Sequence, residues 1–281
     1  MSERQRLINL AYRLLGSVAD AEDVVQETYA RWYAMTPDQR DAIESPAAWA
    51  TTVASRICLD LLRSARVRRE RYVGSWLPEP VPEDAPSDDP ADRVTLDESV
   101  SMAFLVVLDE MTSAERVAFI LHDVFRYSFA EVGEIVGRTA GACRQLASSG
   151  RRRVQEARAP ETPGRDRAEI VRAFKRAWEA RDIGALIGVL DPQVKAVADG
   201  GGLASAVPLV EGRDAVARLL VELAGTGVMP TLQERTVSGQ PGLVMEQDGV
   251  VVTVIAFDVA GDRINRIWTV RNPDKLRAWT P

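Results

Sequence analysis

The stretch that decides the fold of the first half of the chain runs from Thr112 to Val154: "TSAERVAFILHDVFRYSFAEVGEIVGRTAGACRQLASSGRRRV". Thr112 followed three residues later by Glu115 is a capping box, and it opens a helix whose inward face is Val117, Ile120, Leu121 and Val124. Phe129, Val132, Ile135 and Val136 give a second, shorter helix that Gly137 ends. A third begins near Thr139, with Ala140, Cys143, Ala147, Gly150 and Val154 at three-and-four spacing. Its opposite face carries Arg144, Gln145, Ser148, Ser149, Arg151 and Arg152. A short helix, a glycine-ended turn and a helix that is small inside and polar outside make a helix-turn-helix suited to the major groove. Arginine and glutamine pair with base edges there, and serines and further arginines hold phosphates. Gly150 lies on the packed stripe, where a small residue is expected to be required despite the helix cost of glycine.

Upstream, residues 4–71 read as helix. Leu7, Leu10, Ala11, Leu14 and Leu15 form one apolar stripe that Gly16 ends. A second helix is expected from Asp20 as N-cap, with Val24, Val25, Thr28 and Trp32 inside and Glu22, Asp23, Gln26 and Glu27 outside. After "TPDQRDAIESP", read as a loop, a long helix runs from Pro46 to about Glu70, with Trp49, Val53, Ile57 and Leu61 on its apolar side. Arg56, Arg63, Arg66, Arg68, Arg69 and Arg71 face Asp60 and Glu70, either as a solvated surface or as an electrostatic track for a phosphate backbone.

The formal net charge is −6, from 35 basic and 41 acidic residues, but the imbalance is local. Between Trp76 and Ser99 eight acids stand against Arg93 alone. Residues 74–93, "GSWLPEPVPEDAPSDDPADR", are proline-rich and acidic and are expected to be an extended, mobile linker. No apolar run reaches the roughly 18–20 residues that span a bilayer. No signal-peptide order opens the chain, so a cytoplasmic protein is the default expectation. Cys58 and Cys143 suggest neither a disulfide framework nor a metal site, and His122 is the single histidine. From about residue 166 the text changes to amphipathic helices and then glycine-punctuated, β-rich segments such as "GVVVTVIAFDV" and "RINRIWTV". The domains expected are 1–73 helical, 74–93 linker, 94–160 helix-turn-helix and 166–281 α+β.

"LINLAYRLLGSVADAEDVVQETYARW" followed by "SPAAWATTVASRICLDLLRSARVRRE" resembles region 2 of extracytoplasmic-function (ECF) sigma factors, and the helix-turn-helix resembles their region 4. The resemblance implies two all-α sigma domains that bind core RNA polymerase at the β′ clamp helices and the β flap. Asp20, Asp23, Gln26 and Glu27 are the contact candidates it gives for the clamp. It also implies that Trp49, Thr52, Arg56, Arg63, Arg66, Arg68 and Arg69 read the promoter −10 element. Arg138, Thr139, Arg144, Gln145, Ser148, Ser149, Arg151 and Arg152 would read the −35 element. In such a protein the chemistry belongs to the polymerase, and this subunit supplies recognition.

Residues 166–271 resemble the SnoaL-like branch of the NTF2-like fold, a sheet and helices forming a cone with a cavity. Ile170, Phe174, Ala177 and Trp178, then Ile183, Leu186, Ile187 and Leu190, are its expected buried helical positions. Two classes of function are open for it. A catalytic cone would need a poised acid or base, for which Asp199, Asp258 and Glu246 are the candidates, yet this domain has no histidine and no metal-ligand cluster. No catalytic residue, metal or cofactor is therefore expected, although a catalytic or ligand-sensing cone fused to a DNA-binding protein is the alternative. The triglycine of "ADGGG" lacks the spacing and lysine of a phosphate loop and reads as a tight turn or bulge that permits positive φ. Three short signatures favour regulation: "WLPEP" (Trp76, Leu77, Pro78, Glu79, Pro80), "DGGG" (Asp199, Gly200, Gly201, Gly202) and "NPDKL" (Asn272, Pro273, Asp274, Lys275, Leu276). Together they resemble the sigma-factor group that carries a fused SnoaL-like extension in place of a separate anti-sigma factor. The resemblance implies intramolecular contacts that modulate the sigma domains, with Trp76, Leu77, Leu276 and Trp279 as apolar anchors. In that group a lysine commonly follows the triglycine; Leu203 stands there in this chain. Read without the resemblance, "WLPEP" is a proline-rich spacer and "NPDKL" an Asn-capped turn that closes the domain.

Overall fold

A computed structural model describes residues 2–69, 72, 74–83, 100–157, 166–204, 206, 209–225 and 230–279. The chain divides into two compact units, one built from the N-terminal helices and the helix-turn-helix, the other from the region around residues 72–83 and the C-terminal α+β domain. Among the described residues no helix is long and apolar enough to cross a membrane.

In the first unit, α1 (Glu3–Leu15) is buried around nearly its whole circumference, and Gly16 ends it at φ 72 with its amide bonded to the Tyr12 carbonyl. The helix α2 (Val18–Ala34) starts a turn earlier than the sequence suggests. Ser17, not Asp20, is its N-cap, and the Ser17 hydroxyl accepts from the Asp20 amide. Ser-Val-Ala-Asp is itself a cap signature that places the acid in the first turn. The expected loop after α2 contains a one-turn helix, α3 (Pro37–Asp41), held by a capping box of Thr36 and Gln39.

The long helix α4 (Pro46–Arg69) forms as expected but is turned about its axis. Ala50, Ala54, Cys58, Leu59 and Leu62 are its buried hydrophobic residues, whereas Trp49, Val53, Ile57 and Leu61 are only half-buried. Small residues on the contact face let α4 approach α1 and α2 closely, and the bulkier stripe is left on the flank. Trp49 there meets Trp32 edge-on, at 5.1 Å between ring centroids.

The helix-turn-helix is assembled from α5 (Met102–Asp109), α6 (Ser113–Phe119), α7 (Phe129–Val136) and α8 (Ala140–Ala157). The Thr112–Glu115 capping box is present, and a second one, Ser128–Glu131, opens α7. A π-helical turn, Ile120–Val124, follows α6. Gly137 ends α7 in the left-handed region at φ 72. Cys143, Ala147 and Gly150 form the buried stripe of α8. The buried Arg116 ties this module to α1: it donates to the Leu14 carbonyl at 3.0 Å and pairs with Asp109 at 2.7 Å. Arg6 on α1 similarly donates to the Tyr127 hydroxyl at 2.7 Å. No sequence pattern marks either contact, because both bring together residues more than a hundred positions apart.

The second unit is a six-stranded sheet in the order β2-β1-β6-β5-β4-β3. Its strands are β1 (Leu190–Asp199), β2 (Val210–Glu211), β3 (Thr231–Val237), β4 (Gln240–Gln247), β5 (Val250–Ala260) and β6 (Arg263–Val270). Only β1–β6 is parallel, and shifts in register interrupt β1–β6, β4–β5 and β5–β6. The helices α9 (Arg167–Glu179), α10 (Ile183–Val189) and α11 (Arg213–Gly225) pack on the sheet through a core that includes Ile170, Phe174, Trp178, Leu186, Val216 and Phe257. Ile183, expected inside, is instead 40% exposed at the first position of α10. Helices folded over a bulged mixed sheet around a cavity is the layout expected of an NTF2-like cone.

Two predictions follow from α6 and α8. A Cβ on Gly150 would lie 2.9 Å from the Phe119 Cβ, a main-chain-anchored atom with little room to give. Gly150→Ala is therefore expected to destabilise by about 1–3 kcal/mol through overpacking, despite a helix-propensity gain of about 1 kcal/mol, read as a lower Tm of the full chain. Burial opposes ionisation of Glu115, but hydrogen bonds from the Ser149 hydroxyl and from the Thr112 amide and hydroxyl outweigh it and hold its carboxyl below the ordinary glutamate value. An acid with a lowered folded pKa contributes stability above its unfolded pKa, about 4.3, and loses it as pH falls through the folded value. The Tm gap between the parent and Glu115→Gln should accordingly be widest at neutral pH, narrow as pH falls below about 4.3 and close as it passes through the lowered folded value.

Candidate functional site

The first unit carries the expected nucleic-acid and polymerase candidates. On α2, Asp23, Gln26 and Glu27 are exposed on one face, whereas Asp20 is half-buried beside its cap; Glu27 forms an exposed i,i+4 pair with Arg31. On α4, Arg63 is exposed next to Asp60, Thr52 is half-buried, and Arg56 donates to the Glu134 carbonyl of α7 at 2.9 Å. Arg66, Arg68 and Arg69 lie on α4, with side chains outside the described residues.

On the helix-turn-helix, Arg138, Thr139, Arg144, Gln145, Ser148 and Arg152 are exposed. Thr139 caps α8 by accepting from the Ala142 amide, and the Arg144 guanidinium sits 5.3 Å from the centre of the Phe129 ring. Two residues of the expected set are half-buried and bonded within the module. Ser149 donates to Glu115, and Arg151 donates through two nitrogens to Asp123 at 2.9 and 2.6 Å. Ser149 thereby anchors α8 to α6, and Arg151 anchors it to the π-helical turn after α6.

The second unit joins the three short signatures into one cluster. The expectation of a mobile strip fails at residues 76–82. Leu77, Pro78, Glu79, Pro80, Val81 and Pro82 are buried, because backbone and apolar partners in the α+β domain take them up. At the centre is Asp199, the last residue of β1, whose side chain has no solvent exposure. Its Oδ1 accepts from the Tyr72 hydroxyl at 2.6 Å and the Gly201 amide at 3.0 Å; its Oδ2 accepts from the Leu77 amide at 2.9 Å and Lys275 Nζ at 2.7 Å. The Asp199 carbonyl meanwhile accepts from the amides of Arg271 and Asn272.

Lys275 completes the cluster. It donates to the Leu77 carbonyl at 2.5 Å as well as to Asp199, and its ammonium lies 4.3 Å from the centre of the Trp76 ring and 5.3 Å from that of Tyr72. A cation held by a carboxylate, a carbonyl and aromatic faces loses much of the cost of leaving water. Asn272 does two jobs. Its Oδ1 caps the Pro273–Lys275 turn by accepting from the Asp274 amide, and its Nδ2 donates to the Tyr72 hydroxyl. Burial, and then the hydrogen bond to Asp199, push the Tyr72 phenol well above its ordinary pKa.

Farther along, the Trp279 indole donates to the Pro80 carbonyl at 2.8 Å. Val81 exchanges bonds with Ser238, and Pro82 bridges Val237 in antiparallel fashion. The triglycine permits a close approach. Gly201 and Gly202 have φ of 63 and 74, and a Cβ on Gly201 would fall 2.5 Å from Asn272. Leu203, where the resembling group commonly has lysine, is 72% exposed, and the cation on Asp199 comes from Lys275.

A cavity of about 690 Å³ lies within the same domain between the sheet and α9 and α11. Asp199, Asp258 and Glu246, the three acid-base candidates, are not among its lining residues. Asp199 is spent on the cluster, and Glu246 accepts from Gln233.

The chain matches the family model for sigma-70 region 2 over residues 1–68 and that for sigma-70 region 4 over residues 101–154. It is 40% identical to the ECF RNA polymerase sigma factor SigJ of Mycobacterium tuberculosis, over 97% of this chain and 90% of the relative. The chain belongs to the ECF sigma factors. This sigma factor is also 34% identical to a probable ECF sigma factor, SigI, of the same species, over 99% of the chain and 94% of that relative. The crystal structure of SigJ superposes with a TM-score of 0.77 at 35% identity, covering 98% of this sigma factor and 96% of that chain.

Removing one member of a buried ion pair leaves an uncompensated charge, at a cost of about 3–5 kcal/mol. Lys275→Met is therefore expected to unseat the Trp76–Pro82 strip of this sigma factor. Hydrogen–deuterium exchange should show faster exchange of the Leu77 and Val81 amides, while β4 and β5 remain protected.

Proposed function

We propose that this sigma factor directs core RNA polymerase to promoters through α4 at the −10 element and α8 at the −35 element, and that its own C-terminal domain modulates that activity. Asp23, Gln26 and Glu27 on the exposed face of α2, with the flanking Asp20, are the clamp contacts in this reading, and the first helical domain works in the cytoplasm with the polymerase. Exposed Arg138, Arg144, Gln145, Ser148 and Arg152 read or hold DNA, whereas Ser149 and Arg151 position α8.

The contact of Arg56 with Glu134 supports a resting role for the observed packing of the first unit. Two promoter elements about 25 base pairs apart are separated by roughly 85 Å at about 3.4 Å per step. Helices joined by a hydrogen bond cannot occupy both, so α4 and α7 must part before both are read. Residues between the two sigma regions supply the length for that separation. Fixing residues 72–82 on the C-terminal domain withdraws about 35–40 Å of extended chain from it. The buried Asp199–Lys275 pair is the observation that carries this reading: it fastens the inter-region chain to the C-terminal domain.

The test is reconstituted transcription with core polymerase, comparing the full chain, a chain ending at residue 159, one ending at Arg271, and Lys275→Met. Promoter-dependent initiation that differs severalfold between the full chain and Lys275→Met is expected. Initiation by none of the four would sink the promoter-directing role, and equal initiation by all would remove the regulatory one.

A further inference from the structure

The "NPDKL" turn has two sides, and only one is spent on the cluster. Lys275 and Asn272 reach Asp199 and Tyr72, while Pro273 and Leu276 line the cavity together with Arg271. The remaining walls are almost wholly apolar: Phe174 and Trp178 from α9, Val216 and Leu220 from α11, and Met245 and Ile255 from the sheet. Leu223 and Val250, both 47% exposed, also line it, so apolar surface continues to where solvent enters. Among the described residues of the lining, Gln247, Thr253 and Thr269 are uncharged and polar, and Arg271 carries a positive charge. A volume of about 690 Å³ falls within the range of roughly 300–1,000 Å³ that small-molecule sites occupy.

We propose that this cavity binds a lipophilic small molecule bearing a single carboxylate, with its apolar body against Phe174, Trp178 and Leu220 and its carboxylate drawn to Arg271. Bound there, the molecule tightens the hold on the Trp76–Pro82 strip. This second step rests on the regulatory reading above. The sign comes from geometry. Pro273 and Leu276 form part of the cavity wall only while the turn is seated, so a ligand that fills the cavity favours the seated turn over the released one. Whatever binds one of two states better shifts the balance toward it, and the coupling is reciprocal. Releasing the turn must then weaken the ligand by the same factor by which the ligand strengthens the seat.

The experiment uses the full chain and two probes. The first is 1-anilinonaphthalene-8-sulfonate, a lipophilic anion that fluoresces in apolar surroundings; the second is decanoate, with decanol as its neutral counterpart. Saturable binding of the fluorophore at one site per chain, displaced by decanoate, is expected. Ala196→Phe, which fills the cavity from β1 away from the cluster, should cut that binding about tenfold while leaving Tm near that of the parent. Arg271→Gln should abolish the preference for decanoate over decanol. Decanoate should slow amide exchange at Leu77 and Val81, and Lys275→Met should weaken decanoate by about the same factor.

Absence of saturable, decanoate-displaceable binding overturns the proposal, as does binding that Ala196→Phe leaves unchanged. A preference for decanoate that survives Arg271→Gln overturns the carboxylate assignment. If Lys275→Met alters transcription but neither probe binds, the ligand site fails and the regulatory reading stands. If decanoate binds but does not alter exchange at Leu77 and Val81, the coupling is overturned. Unchanged transcription by Lys275→Met would overturn the regulatory reading itself, independently of both probes.

Discussion

The ion pair of Asp199 and Lys275 is the constraint on which the arrangement of the second unit depends. A carboxylate with no solvent exposure is tolerated only if every strong acceptor position is used, and here four donors converge on it. Those donors come from three distant parts of the chain: the strip after α4, the triglycine turn and the turn after β6. Neutralising one buried charge therefore organises segments that have little intrinsic structure. Two prolines flank Glu79 in the strip, and the last turn is only three residues long. Each segment is ordered by its partners rather than by its own periodicity.

The cluster also explains the particular residue types. Asn272 has to be both a cap and a donor, which an amide side chain allows and a carboxylate does not. Gly201 has to admit the Asn272 side chain at a distance no Cβ would permit. Tyr72 offers one hydroxyl that donates to Asp199 and accepts from Asn272, and its ring forms part of the surroundings of Lys275. The aromatic ring of Trp76 adds to these surroundings, so the cation is balanced from several directions.

In the first unit the constraint is of another kind: close helix packing secured by a few buried polar links. Gly150 makes room for Phe119, and small residues on α4 allow it to lie close to α1 and α2. Arg116 and Arg6 then connect the helix-turn-helix to α1 with charge-assisted or polar bonds. Several residues with the composition of a DNA-reading surface also take part in this packing. Ser149 and Arg151 hold α8 in place, and Arg56 spans two helices, so a basic residue on a helix face is not by itself a phosphate contact.

Local sequence was enough to establish the longer helices, the Thr112–Glu115 capping box, the glycine stops and the change to a β-rich C-terminal domain, because caps and apolar periodicity act over three or four residues. The second capping box at Ser128 and the short helix after Thr36 were written in the same local code, although neither was read from it. Resemblance to a family supplied the three signatures as a group. What tertiary structure alone decided was which residues meet: Asp199 with Lys275, Tyr72 with Asn272, Trp279 with Pro80, and Arg116 with Leu14. It also decided the rotation of α4 and the burial of residues 77–82. Those outcomes depend on closing loops of some eighty to two hundred residues, and no pattern of short period carries information over such a separation.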